Sequence, residues 1–158
     1  VLLLLEGEER ESRAGRTGEM KARKAGSGYV LRFETGDRLI AGLTEFCRAK
    51  RIGAGTFTGI GSCRRAELGF FDPKAKAYAF KSLRGPREIA ALAGNISLMD
   101  GVPFVHAHAV LAGRDFKAVA GHLREAEILA AGEVVLAVLP GKIERARDER
   151  MGTSQLKI

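Results

Sequence analysis

Downstream of Ile52 the chain carries no helical periodicity. Its apolar residues come in short β-type runs separated by turn residues, which restricts the fold to one dominated by a sheet. The runs are Thr56 to Ile60, Cys63 to Phe71, Tyr78 to Leu83, Glu88 to Leu92, Asn95 to Met99, Pro103 to Ala112, Phe116 to Ala120, Arg124 to Leu129 and Glu133 to Leu139. Asp72-Pro73-Lys74 and Asp100-Gly101 are turn signals with a mechanism. Proline fixes φ and glycine accepts positive φ, so the runs are predicted to join as antiparallel hairpins. Gly59-Ile60-Gly61-Ser62 lacks the Gly-Lys-Ser/Thr of a phosphate loop and opens no helix; it predicts a tight bend or bulge.

Upstream, Tyr29 to Glu34 alternates apolar and polar residues, and Thr35-Gly36-Asp37 supplies a turn and a helix start. From Arg38 to Arg51, Leu39, Ile40, Leu43, Phe46 and Cys47 fall on one helical face, and Gly53 and Gly55 end the element. The expected class is therefore α+β: a mostly antiparallel sheet with one main packed helix. So much sheet must curl or bury its second face between subunits, and an oligomer is expected.

A chain of 158 residues predicts one domain. Residues 1–28 are polar, apart from the opening Val1 to Leu5, and read as a flexible leader. Residues 29–147 read as the folded domain and 148–158 as a C-terminal tail. No apolar run approaches the ~20 residues of a membrane span. Cys47 and Cys63 form no Cys-x-x-Cys pair, and such sparse cysteine fits a reducing, cytoplasmic setting.

The net charge is +7, but its placement matters more than its size. Between Arg48 and Arg87 stand ten Lys or Arg against Glu67 and Asp72, a local net of +8. Arg64, Arg65, Lys74, Lys76, Lys81, Arg84 and Arg87 are the candidate phosphate contacts if folding gathers them on one face. The alternative is a solvated sheet face. Adjacent Arg64 and Arg65 would point to opposite sides of a strand, which argues against a single patch.

The sharpest chemical signal is the histidine content. The chain has three histidines, His106, His108 and His122, all in one window. At i and i+2 of a strand, His106 and His108 project from one face, about 7 Å apart. If Gly113-Arg114-Asp115 is a hairpin turn centred on Arg114, His122 lies opposite His106. Three imidazoles from two strands suit a divalent, zinc-like ion and leave a position for water or a small-molecule ligand. The alternative is strand histidines with no ligand role. Asp100, Asp115, Glu125 and Glu127 lie close enough in sequence to orient a ring or act as a base.

Taken in order, several segments resemble the PPC domain of plants and prokaryotes. They are Gly59-Ile60-Gly61-Ser62, Ala66-Glu67-Leu68-Gly69-Phe70-Phe71-Asp72-Pro73, Leu92-Ala93-Gly94-Asn95-Ile96-Ser97, Asp100-Gly101-Val102-Pro103-Phe104-Val105-His106-Ala107-His108, Gly121-His122-Leu123 and Glu133-Val134-Val135-Leu136. The resemblance runs from about Tyr29 to Arg147. It implies a homotrimer of antiparallel sheets with a packed helix, and metal binding at His106, His108 and His122. In plants the domain is fused to AT-hook segments that enter the DNA minor groove, and free-standing prokaryotic members are commonly described as DNA-binding by that analogy. Here Arg13, Arg16, Arg23 and Lys24 form no Arg-Gly-Arg-Pro core, so minor-groove reading does not carry over. Ala120 also replaces the Gly that usually precedes Gly121-His122.

Three functions follow from these readings. The first is a trimeric DNA-binding or transcription-associated protein whose basic segment contacts phosphates. The second is a metal-dependent enzyme acting on a small molecule. The third is a structural or interaction platform in which the ion only stabilises the fold.

Overall fold

The computed structural model describes residues 20–158. Eight strands and one helix follow in the order β1 (Lys21–Ala25), β2 (Gly28–Glu34), α1 (Leu39–Ala49), β3 (Gly55–Asp72), β4 (Ala77–Met99), β5 (Val102–Ala112), β6 (Ala118–Val138), β7 (Arg145–Asp148) and β8 (Thr153–Leu156). The α+β reading holds: one short helix packs on a mostly antiparallel sheet. The nine expected runs merge into four long strands, because the polar residues between them sit at bulges and not at turns.

The sheet order is β1-β2-β6-β3-β4-β5, and β6 also pairs with β5, so β3, β4, β5 and β6 close into a ring. This is the curling that so long a sheet requires. Bulges bend the strands far enough to close it: the register shifts at Gly59/Gly61 and Cys63/Arg65 against β4, and again at Glu67/Leu68 against β6. The Gly59-Ile60-Gly61-Ser62 bend lies at the first of these. A Cβ on Gly59 would sit 2.6 Å from the Glu133 carbonyl oxygen, so only glycine allows the two backbones so close.

Asp100 and Gly101 turn β4 into β5 with φ values of 53° and 76°, the two-residue geometry that matches strand twist. At the Asp72 turn, the carboxylate accepts from the Lys74 and Ala75 N–H groups.

The helix buries Leu39, Leu43, Phe46 and Cys47 against the sheet, in contact with β5 and β6. Around them pack Leu31, Phe33, Phe57, Ile128, Val134 and Leu136. Its start differs from expectation. Asp37 accepts from the Glu34 N–H and closes the preceding turn, while the Ile40 and Ala41 N–H groups donate to the Glu125 carboxylate of β6, at 2.8 and 3.2 Å. The cap comes from a distant strand. At the other end Arg51, with φ 55°, takes the left-handed position before Gly53 is reached.

Both terminal boundaries move. Residues 1–19 of the expected leader lie outside the described residues, but Lys21–Ala25 is strand β1, paired along its length with β2. Its polarity reflects an edge strand whose side chains all face solvent. The expected tail supplies β8, which pairs with β7 at the end of the expected domain, and β7 carries Arg145 into the interior.

Candidate metal centre

Alternation along β5 decides where its histidines go. Val105, Ala107, Ala109 and Leu111 are buried in the core, so His106 and His108 project from the other face. Leu123 of β6 points inward in the same way, which leaves His122 on the histidine side. The hairpin register differs from the sequence expectation: His122 pairs with His108, not with His106. The loop is centred on Asp115, because the Gly113 N–H donates to the Lys117 carbonyl, the Phe116 N–H to the Gly113 carbonyl, and the Asp115 carboxylate takes the Lys117 N–H. That wider loop shifts the facing positions by two residues and makes His106 the diagonal neighbour.

The three rings nevertheless converge. Their centroids are 5.1 to 5.5 Å apart, and one nitrogen of each lies within 4.8 Å of the others. Tetrahedral donors on one zinc-like ion, each at about 2.0–2.1 Å, stand roughly 3.4 Å apart, so the widest pair has a little over ~1 Å to close. The buried Nδ1 of His122 has no hydrogen-bond partner, an unfilled demand that an ion at this point would meet. Burial first, then the Arg145 guanidinium and the other two rings, holds the His106 imidazole down at about 4. Burial, then His108 and Arg145, lowers His122 as well. Both shifts favour the neutral ring, the form that donates a lone pair. His108 is the exposed member and leaves the cluster open on its side.

Residues that the sequence did not single out complete the surroundings. The Tyr78 ring lies 4.8 Å from the His122 ring. Gly69, which pairs with His122, provides the room: a Cβ there would meet Phe80 at 2.8 Å and Tyr78 at 3.0 Å. Asn95, the cross-strand partner of His106, accepts from Arg145. The carboxylates named from the sequence are engaged elsewhere: Glu125 at the helix start, Glu127 with Arg64, Asp115 in its own loop, and Asp100 at the β4–β5 turn. None is grouped with the imidazoles.

The candidate phosphate contacts are dispersed. Arg65 and Arg84 face each other across β3 and β4, but Glu127 holds Arg64 at the bulge. Lys81 alternates onto the face opposite Arg84, Lys74 and Lys76 sit at the hairpin tip, and the Arg87 Nε is buried without a partner. Cys47 and Cys63 are buried free thiols, and burial pushes Cys47 up to about 12.

A small ring-closed antiparallel sheet, one helix on its flank and three imidazoles on its outer face define the class. The Plants and Prokaryotes Conserved (PCC, also written PPC) domain matches residues 20–140, and the chain belongs to that family. It is similar to a candidate DNA-binding protein from Bacteroides thetaiotaomicron, at 33% identity over 87% of this chain and 96% of that one, with a TM-score of 0.85. A plant- and prokaryote-conserved protein from Pyrococcus horikoshii is 31% identical over 91% and 98%, TM-score 0.78. A metal-containing protein from Archaeoglobus fulgidus is 35% identical over 91% and 100%, TM-score 0.77. Among curated proteins none matches. No helix among the described residues is long and apolar enough to cross a membrane.

Proposed function

We propose that this PPC-domain protein is a metal-binding module in which His106, His108 and His122 hold one divalent ion, zinc by donor preference, with an open position on the His108 side. The observation that carries the reading is the convergence of three ring nitrogens within 4.8 Å from two adjacent strands. The similar protein from Archaeoglobus fulgidus, described as metal-containing, supports it. Bound there, such an ion supplies a Lewis acid with one exchangeable site. The chain itself supplies pre-placed imidazoles, the Tyr78 ring against His122 and, among the described residues, no carboxylate within the cluster. That favours ligand binding over hydrolysis. Elemental analysis of the full chain after zinc loading and gel filtration tests it. About one ion per chain is expected, lost in His108→Ala and in His122→Ala; a metal-free wild type that remains folded overturns it.

Assembly as a homotrimer belongs to the same reading. Val30 and Val135 are cross-strand partners on β2 and β6, and with Ile60 of β3 they remain 43%, 58% and 58% exposed beside a hollow of about 530 Å³. Sedimentation velocity is expected to give a trimer that Val135→Lys dissociates; a monomeric wild type refutes it.

DNA association is the second reading, favoured by the Arg65–Arg84 pair, by the lysines at the hairpin tip and by the similar protein described as a candidate DNA-binding protein. Duplex affinity is then expected to fall steeply with salt, and Arg84→Ala to reduce the slope by about one. Salt-independent retention of DNA, or none at low salt, excludes it.

A further inference from the structure

The charge at the candidate centre is not balanced. Arg145, the first residue of β7, is 7% exposed, and its guanidinium donates only to neutral acceptors. Nε donates to the Ser97 hydroxyl at 3.1 Å, one Nη to the Ser154 carbonyl at 2.7 Å and the other to the Asn95 side-chain oxygen at 3.0 Å. Among the described residues no carboxylate makes an ion pair with it. The Phe104 ring, 5.0 Å from the guanidinium carbon, closes another side. Arginine keeps its charge under such burial, and a buried charge lacking a counter-ion is expensive for a fold to maintain.

The location of this charge suggests its use. Asn95, which takes one N–H of Arg145, is the register partner of His106, so a single side chain links the guanidinium to the strand position of a candidate ligand. Three neutral imidazoles leave a divalent ion with its full charge, and Arg145 adds another positive group. Among the described residues no carboxylate joins the cluster to offset either. Guanidinium carries five donors; three are used here, and two remain for a planar oxyanion.

We infer that the centre is a receptor for a small oxyanion, of carboxylate or phosphate type, with one oxygen on the open metal position and another on Arg145. This rests on the metal-binding reading above. Arg145 lies beyond the segment matched by the family model, near the end of the expected domain, where the sequence singled out no site residue.

The test uses the full chain loaded with cobalt(II), whose visible spectrum reports changes at the metal, titrated separately with acetate and inorganic phosphate, and with imidazole as a neutral ligand. The wild type is expected to give a saturable spectral change with acetate, phosphate or both, which also identifies the anion type. Arg145→Met is expected to weaken that binding about tenfold or more while imidazole binds as before. Since Arg145→Met removes three hydrogen bonds, Asn95→Asp provides a gentler variant: it sets a carboxylate against the guanidinium in place and is expected to weaken the anion similarly. If neither anion changes the spectrum, or if both variants bind the anion as tightly as wild type, the inference fails while the metal-binding reading stands. If wild type takes up no cobalt, both fail.

Discussion

Gly94→Ala is the substitution whose effect the structure sets most sharply. Gly94 lies on β4 between Phe57 of β3 and Ala107 of β5. A Cβ there would fall within contact distance of the His106 carbonyl oxygen and of the Phe57 ring, whose Cε1 lies 2.8 Å away. Phe57 is 1% exposed and packed in the core, and the carbonyl belongs to the strand that carries the candidate ligands, so the ring can yield only by repacking the core and the carbonyl only by moving β5. Overpacking of this kind costs about 3 kcal/mol, the upper end of its usual range. For a chain of this size that lowers Tm by about 6–12 °C. Gly101→Ala is the control: its φ of 76° is unfavourable for alanine, but nothing lies within 4 Å. Its cost is about 1 kcal/mol of backbone strain, or roughly 2–4 °C. The assay is thermal unfolding of the metal-free chains at one protein concentration, followed by zinc titration at 25 °C. Gly94→Ala should also bind zinc more weakly, because the displaced backbone is that of His106; Gly101→Ala should not. Equal melting of the two variants, or a Gly94→Ala protein within about 2 °C of wild type, would refute the reasoning.

Other substitutions and conditions separate the remaining elements. Glu125→Ala removes the acceptor for the Ile40 and Ala41 N–H groups and is expected to cost about 1–2 kcal/mol in urea unfolding, whereas Arg64→Ala, which breaks an exposed ion pair, should cost under ~1 kcal/mol. The reverse order would show that the helix start does not depend on β6. For metal-free protein, stability should fall as pH drops from about 6.5 to 4. In that window the unfolded chain binds a proton at His106 that the folded chain refuses. The loss reaches at most about 3 kcal/mol. Urea midpoints at pH 7, 5.5 and 4 measure it; His106→Asn should flatten the profile, and a flat wild-type profile contradicts the burial of that ring.

How far the sequence could be read depended on whether a feature was local. Asp100-Gly101 carries its own backbone preference, and the apolar stripe of the helix carries its own periodicity, so both stand where expected. The histidine pair on β5 was legible for the same reason, since strand alternation alone puts His106 and His108 on one face. The register of His122 was not, because it hinges on hydrogen bonds inside the Gly113 to Lys117 loop that composition does not reveal. Joining short runs into long bent strands depends on bulges, which look like breaks in a pattern until a partner strand is present. Glu125 and Arg145 were least legible. The former caps a helix some 85 positions away and the latter donates to Ser97 and Asn95, 48 and 50 positions away, so only the closed ring and the terminal hairpin reveal their roles.

X-ray absorption at the zinc edge on the loaded full chain addresses the proposed coordination most directly. The account predicts three imidazole nitrogens at about 2.0–2.1 Å and one exchangeable oxygen, with one imidazole contribution lost in His122→Ala. A spectrum dominated by sulfur or by water oxygens, or one unchanged by that substitution, would contradict it.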